Sequence, residues 1–390
     1  MLVLVLLKLR ADLGVSLLGG SILLGIMAGV HPYLLSTTIL SSVFGRDSLQ
    51  LLGTIILISA LAELCRALGY LDRFVKSLKG LIGDVRAVIA LIPAFIGLFP
   101  MPGGAMLSAP LVNRAASGLD LSNEDKAFLN YWFRHIWEWV LPLYPGLIVA
   151  SAILGVEVKR MSLKQIPITL ATIVAGVIFG LAKIKREKVK DEEKGHILAE
   201  LKLLFLNIWP FLLVIGLYVI LKLNLFISLV LTFLVVALIG KTGFVKMRTA
   251  VVDSATASTL SLVFGVMAFK GVIGASQAIN VVSSFVGQSE ISRYVVCFFV
   301  PMGVGALTGV TQAYVGVTFP ILMPFFGERG DLSLPMLAFA GGFLGVLLSP
   351  VHLCLALTRE YFGADTLKFY KLLFLPMLFV FAVIVILTIF

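Results

Sequence analysis

Nine stretches of this chain are apolar and long enough to cross a lipid bilayer: approximately residues 13–30, 49–68, 136–155, 165–182, 203–222, 223–240, 257–274, 333–357 and 370–390. A helical crossing needs roughly 20 apolar residues, and inside hydrocarbon only helices or closed barrels satisfy their own backbone polar groups. The runs are continuous and show none of the alternation of ten-residue barrel strands, so the pattern predicts an all-α polytopic membrane protein. Charge agrees with this. Only 13% of residues are charged, against about 25% in a soluble domain, which leaves too little polar surface for an aqueous fold. The net charge of +10 is not a nucleic-acid footprint, because Lys and Arg lie at the ends of the apolar runs. Cys65, Cys297 and Cys354 are scattered within apolar segments and support neither a disulfide framework nor a metal site. The opening MLVLVLLKLR places its apolar run before its charges, the reverse of a signal peptide, and is too short to span.

Two further apolar segments, about 85–116 and 293–322, are interrupted in the middle. In the first, VRAVIALIPAFIGLF is followed by PMPGG and then AMLSAPLVNRA. Each arm, at 1.5 Å per residue, reaches ~20 Å against a hydrocarbon core of ~30 Å. Both segments are therefore expected to be re-entrant hairpins, leaving the membrane on the side they entered. The competing reading is a proline-kinked structural helix, against which the short arms count.

With the N-terminus in the cytoplasm, nine crossings and two hairpins put six basic clusters inside: Lys8/Arg10, Arg66 to Arg86, Arg114 to Arg134, Lys183 to Lys202, Lys241 to Arg248 and Arg359 to Lys371. The Lys159/Arg160/Lys164 group is the main exception. By the positive-inside rule this predicts an inner (cytoplasmic) membrane protein with a cytoplasmic N-terminus. The polar run KIKREKVKDEEKGH divides the chain in two. An offset of 208 residues superimposes Pro93 on Pro301, Gly97 on Gly305, Pro142 on Pro350 and Gly155 on Gly363. The element order repeats as well. Residues 1–182 are thus expected to form a first repeat, 183–202 a charged cytoplasmic linker, 203–222 a connecting span and 223–390 a second repeat of inverted topology. Inverted repeats with broken helices are an architecture of secondary transporters.

The interruptions carry the candidate chemistry. Pro100 and Pro102 lack an N–H and leave the last carbonyls of the first arm free, while Gly103 and Gly104 let the backbone turn and approach a ligand. The helix beginning near Ala105 would direct its amides at an anion, and the carbonyl end of the arm before it would attract a cation, Na⁺ near Gly103 being one candidate. Ser108 and Asn113 add polar groups to this hairpin. The second tip offers Thr308, Gly309, Thr311 and Gln312, with Thr308 and Thr311 as candidate Na⁺ ligands. For any single hydroxyl the more ordinary role is a bond to its own helix backbone.

Residues 130–139 read NYWFRHIWEW. Arg134 and Glu138, and His135 and Glu138, share a helix face, and intramembrane ionisable groups are costly and usually functional. His135 and Glu138 are therefore candidates for proton or substrate coupling. Trp132, Trp137 and Trp139, however, have the pattern of an interfacial aromatic belt, and anchoring at the interface is the stronger reading. Pro142 and Pro145 could break this span. His352, beside Pro350, is a weaker coupling candidate. Glu63 and Arg66 are expected to pair locally, and His31 and His196 to lie in loops. No zinc-protease, serine-hydrolase or nucleotide-binding motif is present in the sequence, so an enzyme is not expected, nor is a cofactor beyond a coupling ion.

The string FPMPGGAMLSAP, followed by NYWFRHIWEWVLPLYPGLIVAS, resembles the domain of unknown function 401 family, placed in the ion transporter superfamily with gluconate, citrate and dicarboxylate permeases. The resemblance covers essentially the whole chain. It implies two inverted repeats whose hairpins form a substrate site, and a homodimer. The dicarboxylate/sodium symporters of that superfamily carry Ser-Asn-Thr at their hairpin tips; Pro-Met-Pro-Gly-Gly and Gly-Ala-Leu-Thr-Gly stand here instead, so their ligands do not carry over. Residues and resemblance together point to a secondary active transporter of a small anion, an organic carboxylate, coupled to Na⁺ or H⁺. The alternative is a flippase for a lipid-linked phosphate.

Overall fold

The computed structural model describes residues 12–70, 73, 77, 84–101, 103–184, 197–276, 292–327 and 331–389. Pro102, His196 and most of the 183–202 linker lie outside them. All the described elements are helical. The first half holds α1 (Leu13–Met27), α2 (Pro32–Phe44), α3 (Arg46–Ala67), α4 (Val85–Ile96), α5 (Ala105–Ala115), α6 (Asn123–Arg134), α7 (Pro145–Leu154), α8 (Val158–Lys164) and α9 (Ile166–Phe179). The second holds α10 (Ile197–Ile215), α11 (Leu225–Ile239), α12 (Phe244–Ser254), α13 (Ala257–Ala275), α14 (Arg293–Thr308), α15 (Thr311–Leu322), α16 (Ser333–Leu348), α17 (Leu353–Phe362) and α18 (Thr366–Ile389).

Among the described residues, six helical stretches are long and apolar enough to cross a membrane: Arg46–Ala67, Ile166–Lys183, Lys202–Ile220, Ala257–Ala275, Ser333–Phe362 and Thr366–Thr388. The expected spans at 13–30 and 223–240 appear as the shorter apolar helices α1 and α11. The expected span at 136–155 is not one helix. Its chain leaves helical geometry over 135–144 and resumes at Pro145, because Pro142 and Pro145 each lack the amide a continuous helix needs. The Ser333–Phe362 stretch is likewise interrupted over 349–352, at Pro350.

The helices gather into two compact units, and each draws on both halves of the sequence. One comprises Met1–Ile56, Leu143–Lys164 and Val251–His352; the other comprises Leu57–Pro142, Gln165–Ala250 and Leu353–Phe390. We call them the first and second units.

Close backbone approach holds the first unit together. On α16, Gly341 and Gly345 face α14, where a Cβ on either would overlap the carbonyl of Phe298 or Met302, while Gly342 faces the Tyr314 ring of α15. Gly305 on α14 meets the carbonyl of Gly342 in return. The helices α13 and α1 cross the same way, through Gly265 and Gly14. With no hydrophobic drive between helices in lipid, such small-residue seams supply the packing contacts. At the end of that crossing, Asp12 caps α1 and accepts the Ser261 hydroxyl at 2.5 Å.

Large side chains hold the second unit. Trp132 packs on Gly176 of α9 and donates its indole N–H to the Thr172 carbonyl at 2.9 Å. Phe128 and Leu129 close on Gly180, and Tyr131 meets Phe369 of α18 edge-on, ring centres 5.8 Å apart. The helices α4, α5 and α17 pack around α6, which carries the buried charges described next.

Candidate functional sites at two helix breaks

The first break, in the second unit, is long and irregular. After α4 ends at Ile96, the described residues 97–101, 103 and 104 lie in no helix before α5 starts at Ala105. Gly103 takes φ +68°, in the left-handed region glycine adopts without strain. The Met106 and Leu107 amides bond to the Gly103 and Gly104 carbonyls at 2.9 and 3.1 Å. The amides left for an anion at this helix start therefore lie ahead of Met106.

The cation at the carbonyl end of α4 is the chain's own. Arg134, 2% exposed, reaches back from the end of α6, and its Nη2 donates to the carbonyls of Met101 and Phe99 at 3.2 and 3.4 Å. Gly104 makes room for it: a Cβ there would lie 2.9 Å from the guanidinium nitrogens. Arg134 Nη1 is 3.8 Å from Glu138 Oε1, which is 3.9 Å from His135 Nε2. The His135 Nδ1 lies 2.6 Å from the Tyr131 carbonyl oxygen. An oxygen there can only accept, so Nδ1 carries the proton in the neutral ring and Nε2 keeps its lone pair.

The tryptophans of residues 130–139 pack against protein rather than facing outward. Trp132 and Trp139 are buried, and Trp137 donates its indole N–H to the Ala94 carbonyl at 2.7 Å. The indoles anchor α6 inside its unit. Arg134, His135 and Glu138 are enclosed with them, where an ion is stable only when paired and hydrogen-bonded. Asn130, one turn earlier on α6 and fully buried, donates to the Ala105 carbonyl at 3.1 Å and to Thr358 Oγ1 at 3.3 Å. Its Oδ1 has no partner among the described residues. Of the other residues expected here, Ser108 bonds its own helix at the Ala105 carbonyl, Asn113 is exposed and Pro100 is partly buried.

The second break, in the first unit, is short. Gly309 at φ +65° ends α14, its amide bonding to the Gly305 carbonyl at 2.8 Å, and α15 starts two residues later. This is a left-handed helix cap of the kind glycine favours. His352 Nδ1 lies 2.7 Å from the Gly309 carbonyl oxygen, which again places the ring proton on Nδ1. A Cβ on Gly309 would come within 2.8 Å of the His352 backbone nitrogen. Ser349, fully buried, has no partner for its hydroxyl among the described residues. Thr308 bonds its own helix at the Val304 carbonyl at 2.8 Å, Thr311 turns its methyl toward Gly146 of α7, and Gln312 is half-buried.

Three residues that belong to these breaks were not singled out as ligands from sequence: Arg134, Asn130 and Ser349. Arg134 was weighed only as a partner of Glu138, since its 33-residue reach back to Met101 leaves no local trace. Elsewhere, Glu63 pairs with Arg66 at 2.6 Å as expected, His31 caps α2, and Lys270 donates to the Ala152 carbonyl at 2.6 Å.

A helical chain with several membrane-length apolar helices, and with proline-broken helices beside buried polar groups, is a multi-pass membrane protein. It belongs to the family described as Protein of unknown function (DUF401), whose model matches residues 1–390. No curated protein matches the sequence.

Proposed function

We propose that the protein is a secondary active transporter of a small organic anion, a carboxylate, coupled to H⁺. The observation that carries this reading is Arg134, a buried guanidinium between the carbonyl end of α4 and the amino end of α5, with Glu138 beside it. A carboxylate arriving at the start of α5 meets helix-end amides and a fixed positive charge. In the resting state Glu138 shares that charge. Protonating Glu138 releases Arg134 for the substrate, so anion and proton enter together, and His135 Nε2, 3.9 Å away, provides a neighbouring proton acceptor. Arg134 at the carbonyl end favours H⁺ over Na⁺ as the coupling ion.

The helix bounds support an inverted-repeat, alternating-access architecture. Shifted by 208 residues, α7 falls on 353–362, the bounds of α17; α4 falls on 293–304 within α14, and α5 on 313–323 over α15. The packing follows the same relation, since α7 packs on α15 and its counterpart α17 packs on α5. Each unit thus takes its broken helix pair from one repeat and the helix after the later break from the other. In this reading the pairs α4–α5 and α14–α15 are re-entrant hairpins, and the distribution of Lys and Arg puts the N-terminus in the cytoplasm of an inner membrane.

A thermal-shift screen of carboxylates on purified protein, at two pH values with and without Na⁺, tests the proposal. Stabilisation that strengthens at the lower pH without needing Na⁺ is expected. No stabilisation by any carboxylate would sink the substrate class, and Na⁺-dependent, pH-independent stabilisation would sink H⁺ coupling.

A further inference from the structure

The sequence scatters its three cysteines, but the fold carries Cys354, in the first turn of α17, to His135 at the end of α6 within the second unit. The Cys354 sulfur and a ring nitrogen of His135 lie within 4.8 Å of each other, and both residues are buried. We propose that His135, Cys354 and Glu138 bind a first-row divalent cation with thiolate affinity, Zn²⁺ being the best match.

Three observations converge on this. The Nδ1–H of His135 is committed to the Tyr131 carbonyl at 2.6 Å, the outer-sphere bond that metal-ligating histidines nearly always make and that leaves Nε2 as donor. The Tyr131 ring, 4.5 Å from the imidazole centre, restricts its rotation. The donor set of imidazole nitrogen, thiol sulfur and carboxylate oxygen is one that zinc accepts, with bonds of about 2.0–2.3 Å, and Glu138 Oε1 stands 3.9 Å from His135 Nε2. Binding releases the thiol proton to solvent, so the site holds a thiolate and a carboxylate against the +2 ion. Arg134 also faces the site, 3.8 Å from Glu138, and its guanidinium engages the Phe99 and Met101 carbonyls. Glu138 would bridge the guanidinium and the metal.

The site shares His135 and Glu138 with the proton step proposed above, so a bound Zn²⁺ would block that step. Binding itself does not rest on the transport reading.

The test is to titrate the purified full-length protein with Co²⁺ and follow the near-ultraviolet thiolate-to-metal absorption. One equivalent is expected to produce the band, and Zn²⁺ to abolish it. Cys354→Ser should remove the band and His135→Ala weaken binding at least tenfold, while a Cys65→Ser/Cys297→Ser double variant should keep both. Absence of the band in the unaltered protein, or its persistence in Cys354→Ser, overturns the site. In a separate arm, Zn²⁺ should inhibit carboxylate uptake, and Cys354→Ser should relieve the inhibition. Uptake insensitive to Zn²⁺ while the band is present refutes the shared proton step and leaves the metal site standing.

Discussion

The two breaks solve one problem with different means. Each must end a helix inside a buried environment without leaving its last carbonyls unpaired. At Gly309 the solution is local: one left-handed residue closes the turn, and His352 takes the carbonyl this leaves over. After Ile96 local amides also pair the last α4 carbonyls, Gly97 on Pro93, Leu98 on Phe95 and Phe99 on Ile96, but the carbonyls of Phe99 and Met101 beyond them are met from a distance, by an arginine from another helix. A local cap stores no charge. A guanidinium cap brings one into the interior and makes the break sensitive to any anion or proton that competes for it. This difference is the reason for assigning the proposed transport chemistry to the second unit.

The largest effect should come from removing that charge. Arg134→Met removes the guanidinium that pairs with Glu138 and donates to the Phe99 and Met101 carbonyls, a loss of about 3–5 kcal/mol for a broken buried pair. His352→Ala at the other break loses one hydrogen bond, about 1 kcal/mol. Thermal unfolding of both variants decides the comparison; equal losses would end it. Adding Glu138→Gln to Arg134→Met should restore part of the stability. Next in size is Gly309→Ala, which forces an L-residue into the left-handed region, about 1–2 kcal/mol, and drives its Cβ against the His352 backbone. Gly103→Ala should show only the conformational cost, because its nearest neighbour is the movable end of Leu357 at 3.4 Å. A third expectation concerns binding. Gly104→Leu should displace Arg134 and abolish carboxylate stabilisation with expression intact, and Glu138→Gln should make that stabilisation independent of pH. Retained binding in the first or a persistent pH slope in the second would remove Arg134 and Glu138 from the mechanism.

The smallest effect lies at the rim of the second unit. The Glu124 carboxylate accepts the Asp365 amide at 3.0 Å, and this backbone bond holds its pKa below the usual carboxylate range. A lowered folded-state pKa contributes stability that is present above the unfolded value and lost as pH falls through the folded one. Glu124→Gln should therefore flatten a slight loss of melting temperature below about pH 4, near the ordinary glutamate value.

What was legible from sequence followed the range of the interaction. Both breaks were readable because proline and glycine act on their own backbone, and the Glu63–Arg66 pair because three residues on one helix meet by geometry. The interruption at 135–144 was half-readable, its prolines visible but its effect on a presumed span underestimated. Arg134 and Asn130 were opaque as site residues because their partners, Met101 and Thr358, lie far along the chain, in the stretch before α5 and on α17. The packing of the tryptophans was opaque for a related reason. Composition places an indole at an interface, whereas the carbonyls of Thr172 and Ala94 place these inside.

The seam between α14 and α16 has a consequence for how this protein can change. Because Gly305, Gly341 and Gly345 bring main chain against main chain, a side chain added at any of them would press on a backbone that cannot yield by a rotamer change. The seam's tolerance for substitution is nearly all-or-none, and drift elsewhere in the first unit can tilt or bend the two helices only as a pair. An engineer seeking new specificity would leave these glycines alone.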